Sequence, residues 1–531
     1  MIRSSFAVAI GAMFAAGLSA APAAFGQEET EQRLGAVHFD TSCNETAQRR
    51  FDRGMRYQHS FWYQSSKEIF EEVLKADPEC GIAYWGIALS LLHNPHNPPP
   101  EPNLPLGLAA IQQGKVVGAK TQRERDFIDA LLVFYTDYDK IAHGARVQAY
   151  LKAMEGVAQR YPQDDEAQLF YAITLNVAAS PNDKTYSNQL KGAAILETIF
   201  KRQPRHPGVA HYLIHLYDTP ALAEKGIDAA KRYSEIAPAA PHAQHMPSHI
   251  FTRVGHWKDA IGSNIAASRS AKANKDFHEQ LHAMDYLVYA DLQLGQDAKA
   301  RAVIDEMNAV TGFAETVIVG PYALAASPAR YAIERGDWKG AAELQVRGSP
   351  LAHVQAITHF ARALGAARSG NAEKGRADIA KLAELRDKLR EAKDAYWTEQ
   401  VDIQWQVASA WALNAEGKYD DALKTMSAAT DAEDKTEKHP VTPGVPTPAR
   451  ELYGTMLLER GMAREALVAF EATLKKQPYR LGATLGAAKA AEKVGDTAKA
   501  RQYYMAAVTL TENADPVRPQ IAEARAFVAK K

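Results

Sequence analysis

Apolar residues recur at three- and four-residue intervals along most of this chain, in short blocks separated by a glycine, which is the spacing of amphipathic helices joined by tight turns. Around Gly461 the pattern is plain: Leu452, Leu457 and Leu458 precede the turn, and Leu467, Phe470 and Leu474 follow it. A Gly followed five residues later by Ala or Gly recurs at Gly255/Ala260, Gly295/Ala300, Gly336/Ala341, Gly370/Gly375, Gly417/Ala422, Gly461/Ala466 and Gly495/Ala500. Successive glycines lie 40, 41, 34, 47, 44 and 34 residues apart, which reads as a 34-residue unit with occasional loop insertions. Each unit is predicted to be a helix, a Gly-bearing turn and a second helix, so the whole is an all-α solenoid of antiparallel helix pairs.

These units resemble the tetratricopeptide repeat family, which carries a small residue on the first helix, Gly at the turn, Ala and an aromatic on the second helix, and a closing Pro. The best copy is Gly454, Gly461, Ala466, Phe470 and Pro478. The segment from Gly54 to Pro78, and two units ending at Pro204 and Pro238, keep the frame without the turn glycine. The stretch HMPSHIFTRVG at 245–255 further resembles a group of exported bacterial tetratricopeptide proteins, a likeness that implies fold and compartment but no activity. Two proline-rich excursions are expected, because Pro breaks helices: His93 to Pro105, with six prolines, and a linker over 431–447. The organisation read from this is a signal peptide at 1–26, the solenoid at 27–430, the linker, and a C-terminal repeat pair with a last helix at 448–531.

The histidines carry the candidate chemistry. Five of 17 fall within 39 residues: His211, His215, His242, His245 and His249. His211 and His215 share one helix face, as do His245 and His249, and the second pair follows the first by 34 residues, one repeat. His242 stands 13 residues before Gly255, as His282 does before Gly295, while Asp285 and Tyr289 hold the frame positions of His245 and His249. In tetratricopeptide arrays these positions face the concave groove, so the resemblance implies a groove lined by His211, His215, His242, His245, His249, His282 and Asp285. Imidazoles with a carboxylate suit a divalent transition metal such as Zn, Cu or Fe. At least one cross-helix pair is expected to lie close enough to share an ion. Met246 adds a thioether, more simply core filler than ligand. Arg253, on the face of His249, and Tyr289 are candidates for holding a groove ligand, although a salt bridge is the commoner role for such an arginine.

Bland readings stand beside these. Repeat duplication can copy a histidine without function, yet the first unit has Phe51 and Met55 at the same positions, and the Gly336 unit has Ala326 and Arg330. Pro247 either re-aims His242 and His245 against His249 or simply starts a helix.

Composition narrows the remaining classes. Sixty-two Lys plus Arg against 63 Asp plus Glu leave a net charge of -1, without the basic footprint of a nucleic-acid binder. Arg3, an apolar run from Phe6 and Ala24-Phe25-Gly26 have the order of a secretory signal, which predicts a periplasmic or secreted protein with no membrane span after cleavage. Cys43 and Cys80, the two cysteines, are then expected to pair. No GxxxxGK[ST], GxSxG, HExxH or CxxC motif occurs. Three functions fit: a scaffold binding a protein, small molecule or metal in its groove, a metal-dependent enzyme using the same site, or a purely structural assembly protein.

Overall fold

The structure, a computed structural model, describes residues 33–530, so the predicted signal peptide lies outside the described residues. Helices follow one another from Glu45–His59 to Pro519–Ala529, and no strand occurs among the described residues. Each helix packs on its sequence neighbours, and first helices of successive pairs also meet, as Phe277–Gln293 meets Val319–Glu334 and Ala352–Arg368 meets Ala395–Ala415, the arrangement of a tetratricopeptide-like α-solenoid. None of the described helices is long and apolar enough to cross a membrane.

The turn signal has a backbone cause. All seven turn glycines, from Gly255 to Gly495, have φ between 66° and 83°, the left-handed conformation that ends a helix and that a Cβ disfavours. The small residues have a packing cause. A Cβ on Gly54 would meet the Phe70 ring at 2.9 Å, and a Cβ on Gly454 would meet Phe470 at the same distance, so first and late repeats close their helix pairs identically.

The array winds until its C-terminal repeats meet its middle. Trp257 Nε1 donates to the Tyr479 carbonyl at 3.0 Å, Arg518 Nε pairs with Asp297 at 3.0 Å, and the Asp515 amide donates to the Gly295 carbonyl at 3.0 Å. The segment 431–447 differs from the expected linker. Its first residues end the Tyr419–Lys435 helix, and Thr436, Val441, Thr442 and Thr447 are buried. Arg330 and Tyr322 both donate to the Gly444 carbonyl, so the prolines give a rigid inward strap.

Cys43 and Cys80 form a disulfide with Cα atoms 5.1 Å apart, tying the chain before the first helix to the start of the third. Its loop spans 37 residues, and closing such a loop in the unfolded chain is worth about 2–4 kcal/mol. Cys43→Ser with Cys80→Ser is therefore expected to lower unfolding stability by that amount in denaturant titration. An unchanged midpoint would mean that the first repeat needs no staple.

Candidate metal centre

Two helices carry the first histidine pair and its partners into the interior. His211 and His215 lie on Pro207–Tyr217, a helix buried along its whole length, and His242 and His245 lie on the short helix Pro241–His245. Pro247 opens the next helix, Pro247–Val254, so the chain breaks at Met246 between His245 and His249. His282 comes from the Phe277–Gln293 helix.

The six imidazoles gather as two groups of three. In the first, His211 Nε2 lies 3.1 Å from His215 Nε2 and 3.1 Å from His242 Nε2. In the second, His245 Nε2 lies 3.0 Å from His249 Nε2, and the His282 ring centre is 4.1 Å from that of His245. Within each group one ligand atom per residue lies within 4.8 Å of the other two. The groups are neighbours: the rings of His242 and His245 are 6.1 Å apart and those of His215 and His249 are 6.2 Å apart.

Protons decide what these distances mean. His211 Nδ1 donates to the His59 carbonyl at 2.7 Å, and His242 Nδ1 donates to the Glu279 carboxylate at 3.2 Å. His249 Nδ1 donates to Asp218 at 2.9 Å, and His245 Nδ1 donates to Asn264 Oδ1 at 2.7 Å. The Asn264 amide cannot be reversed, because its Nδ2 is held by the Ala260 carbonyl at 2.7 Å. Each of these rings thus spends its one neutral-state proton outward. The facing Nε2 atoms of His211 and His242, and of His245 and His249, are then lone pairs at hydrogen-bond distance with no proton between them. A second proton on His211, His245 or His249 is opposed by burial. Desolvation holds His211, His215 and His282 well below the ordinary histidine value, and lowers His245 to about 3 and His249 to about 4, with neighbouring imidazoles adding to the effect. Lone pairs held together in this way suit a cation. Nitrogens bound tetrahedrally at 2.0–2.1 Å stand about 3.4 Å apart, close to the spacing seen here.

The site is enclosed, not an open groove. The most open of the six, His242, has 12% side-chain exposure. Phe61 stacks over His242 at 5.2 Å and meets His211 edge-on at 4.3 Å. The first proline-rich excursion brings His96 to 4.5 Å from the His215 ring, and the inward strap brings Lys438 to Asp218 at 2.9 Å. Burial lowers His96 to about 4 and Lys438 to about 8.

Three expected site residues lie elsewhere in the polar network. Asp285 is not turned toward the imidazoles: its carboxylate is taken by Arg330 and by Ser327 Oγ at 3.0 Å. Arg253 is engaged by Asp218 at 2.7 Å, so it anchors the carboxylate behind His249 rather than a ligand. Tyr289 accepts from Arg480 at 3.1 Å and donates to Gln477 at 3.2 Å, joining the array's middle to its C-terminal repeats. Sequence reasoning missed Asp218, Asn264, Glu279, His96 and Lys438. His96, Asp218 and Lys438 lie outside the repeat helices, so no periodic signal marks them, and Asn264 holds the frame position of Phe470, where an aromatic core residue is the usual occupant. His59, Glu166 and His206 form a further buried group, but Glu166 already accepts from both imidazoles, at 3.0 and 3.1 Å.

No family profile and no curated protein sequence matches the chain. Among solved structures, the chain is similar to a human IFIT1 dimer with PPP-AAAA, at 12% identity and a TM-score of 0.39, with 92% of this chain and 100% of that one covered. It is also similar to the TPR domain of P58(IPK), at 13% identity and a TM-score of 0.21, over 92% and 100% of the two chains. Likenesses at this level carry no argument about function, and the solenoid is established by this chain's own helix pairs and turn glycines.

Proposed function

We propose that this chain is an exported, tetratricopeptide-like scaffold that binds a transition-metal ion through its buried histidine cluster. One observation carries the reading: imidazoles whose Nδ1 protons are committed to His59, Glu279, Asn264 and Asp218 present their Nε2 lone pairs to one another at 3.0–3.1 Å. Backing of ligand histidines by carboxylate, carbonyl or amide oxygens is how proteins fix the tautomer and raise ligand basicity. The donor set is all imidazole nitrogen, which favours Cu and Zn over Fe(II), an ion usually held with a carboxylate.

The test is elemental analysis of protein purified without a His tag, followed by thermal melting with and without a chelator. Bound metal is expected, and because it binds the folded state, stripping it should cost about 2.7 kcal/mol where free metal had been a hundredfold above Kd. His245→Ala with His249→Ala should abolish the chelator response. That variant starts from lower stability, because both rings are buried and hydrogen-bonded. Protein that retains no metal and gains no stability from added Cu(II) or Zn(II) leaves the structural reading in place.

A second reading, a metal-dependent enzyme, is favoured by a cavity. A small apolar pocket of about 70 Å³ is lined by Phe61, Tyr63, His93, Phe134, Tyr150 and Tyr212 among others. Phe61 is its wall on the side of the histidines, so an apolar small molecule seated there would lie one ring away from His211 and His242.

A further inference from the structure

We propose that the cluster is built for two metal ions held side by side, one in His211, His215 and His242 and the other in His245, His249 and His282. The inference rests on the metal-binding reading above and deepens it. The two groups are constructed independently. Each contains its own pair of facing Nε2 atoms, His211 with His242 at 3.1 Å and His245 with His249 at 3.0 Å. An ion seated in one group relieves one of these juxtapositions and leaves the other, because the nearest rings across the groups are 6.1 and 6.2 Å apart between centres.

The supporting atoms are divided in the same way. Behind the first group stand the His59 carbonyl and the Glu279 carboxylate, and behind the second stand Asn264 Oδ1 and the Asp218 carboxylate. Each group therefore has one neutral oxygen and one carboxylate accepting from its Nδ1 atoms. One carboxylate also meets an electrostatic requirement. Two dications a few ångströms apart in a dry interior repel strongly, and the buried charge of Glu279 behind the first group offsets part of that, whereas the charge of Asp218 is already taken up by cations and fixes the position of His249 instead. Lys438 and Arg253 both pair with Asp218, so its position is held whether or not an ion is present.

The donors identify the chemical class. Three imidazole nitrogens per ion, with no thiolate and with the nearby carboxylates already accepting from histidine, suit late first-row divalent ions, Cu(II) above Zn(II) in affinity. The repeat explains how such a pair of sites arises. The i, i+4 histidine spacing recurs one unit later, across the helix break at Met246, so the second site is the first displaced by one repeat, and His242 and His282 supply the third nitrogen from the first helix of the following unit in each case.

The test uses the full mature chain, tag-free, stripped with a chelator, titrated with Cu(II) and desalted. Two coppers per chain are expected, with an EPR spectrum that is dipole-broadened or silent rather than that of two isolated Cu(II) ions. His211→Gln with His215→Gln, and separately His245→Gln with His249→Gln, should each retain one copper with a full-intensity isolated-ion spectrum. One copper per chain in the wild type overturns the two-ion proposal while leaving the metal-binding reading intact. No copper at all overturns both. Two coppers with undiminished isolated-ion spectra place the second ion outside the cluster and also overturn it. If either variant loses its helical circular dichroism, the wild-type stoichiometry and spectrum decide.

Discussion

Metal-free protein brought from pH 7 to pH 5 is expected to lose several kcal/mol of unfolding stability, a large part of a marginal total. The sign follows from where protons bind. A histidine in the unfolded chain takes up a proton near pH 6.5, whereas burial lowers His245, His353 and His439 to about 3 and His96 and His249 to about 4. Between those values the unfolded state carries more protons. The stability from neutral buried rings is complete above pH 6.5 and is lost as pH falls toward 3. At pH 5 each such ring accounts for about 2 kcal/mol, so these five give about 10. Three carboxyls act oppositely: burial pushes Glu433 and Asp291 up to about 7 and Asp276 up to about 6, and all gain from acidification, by about 1–2 kcal/mol each. The histidines win. Denaturant titrations at pH 7 and pH 5 check this, and unchanged or higher stability at pH 5 would contradict it. His353→Phe isolates one contribution away from the cluster, since this ring stacks on Trp397 at 4.1 Å and should be replaceable by another aromatic. That variant should lose about 2 kcal/mol less than wild type over the same interval.

Much of this arrangement was legible in the chain, and its gaps have physical reasons. Left-handed glycines and glycine-on-phenylalanine contacts are local requirements, so Gly255 and Gly461, or Gly454 with Phe470, announce the helix pairs directly. The histidines were found because a solenoid places equivalent positions of successive repeats side by side, which turns a 34-residue spacing into a spatial neighbour. The same rule reached its limit at what breaks the repeat. His96 and Lys438 lie on the two proline-rich segments, and Asp218 lies just past the end of a helix, where pairing with residues 31 to 220 positions away is set by tertiary packing alone. The expected open groove failed for this reason: the closing segments are the non-repeating ones.

Asp285→Ala is expected to destabilise the protein by about 3–5 kcal/mol without removing metal from the histidine cluster. Asp285 holds the frame position of His245, and Arg330 holds that of His249 in the following unit, so the layer that presents imidazoles in two repeats presents an ion pair in the next two. Both side chains are fully enclosed, at 2% and 0% exposure. A buried pair adds little net stability when whole, because desolvation offsets attraction, but removing one partner strands the other charge. With Asp285 gone, Arg330 keeps the Gly444 carbonyl and its contacts with Tyr289 and Tyr322, and none of these neutralises it. The double variant Asp285→Ala with Arg330→Met should therefore recover most of the loss, and the shortfall from additivity measures the pair. Metal content separates this role from a ligand's. As an ion-pair residue, Asp285 can be removed and the folded variant will bind as much copper as wild type. If the variant instead keeps wild-type stability and loses copper, Asp285 is a ligand after all, and its contact with Arg330 is incidental.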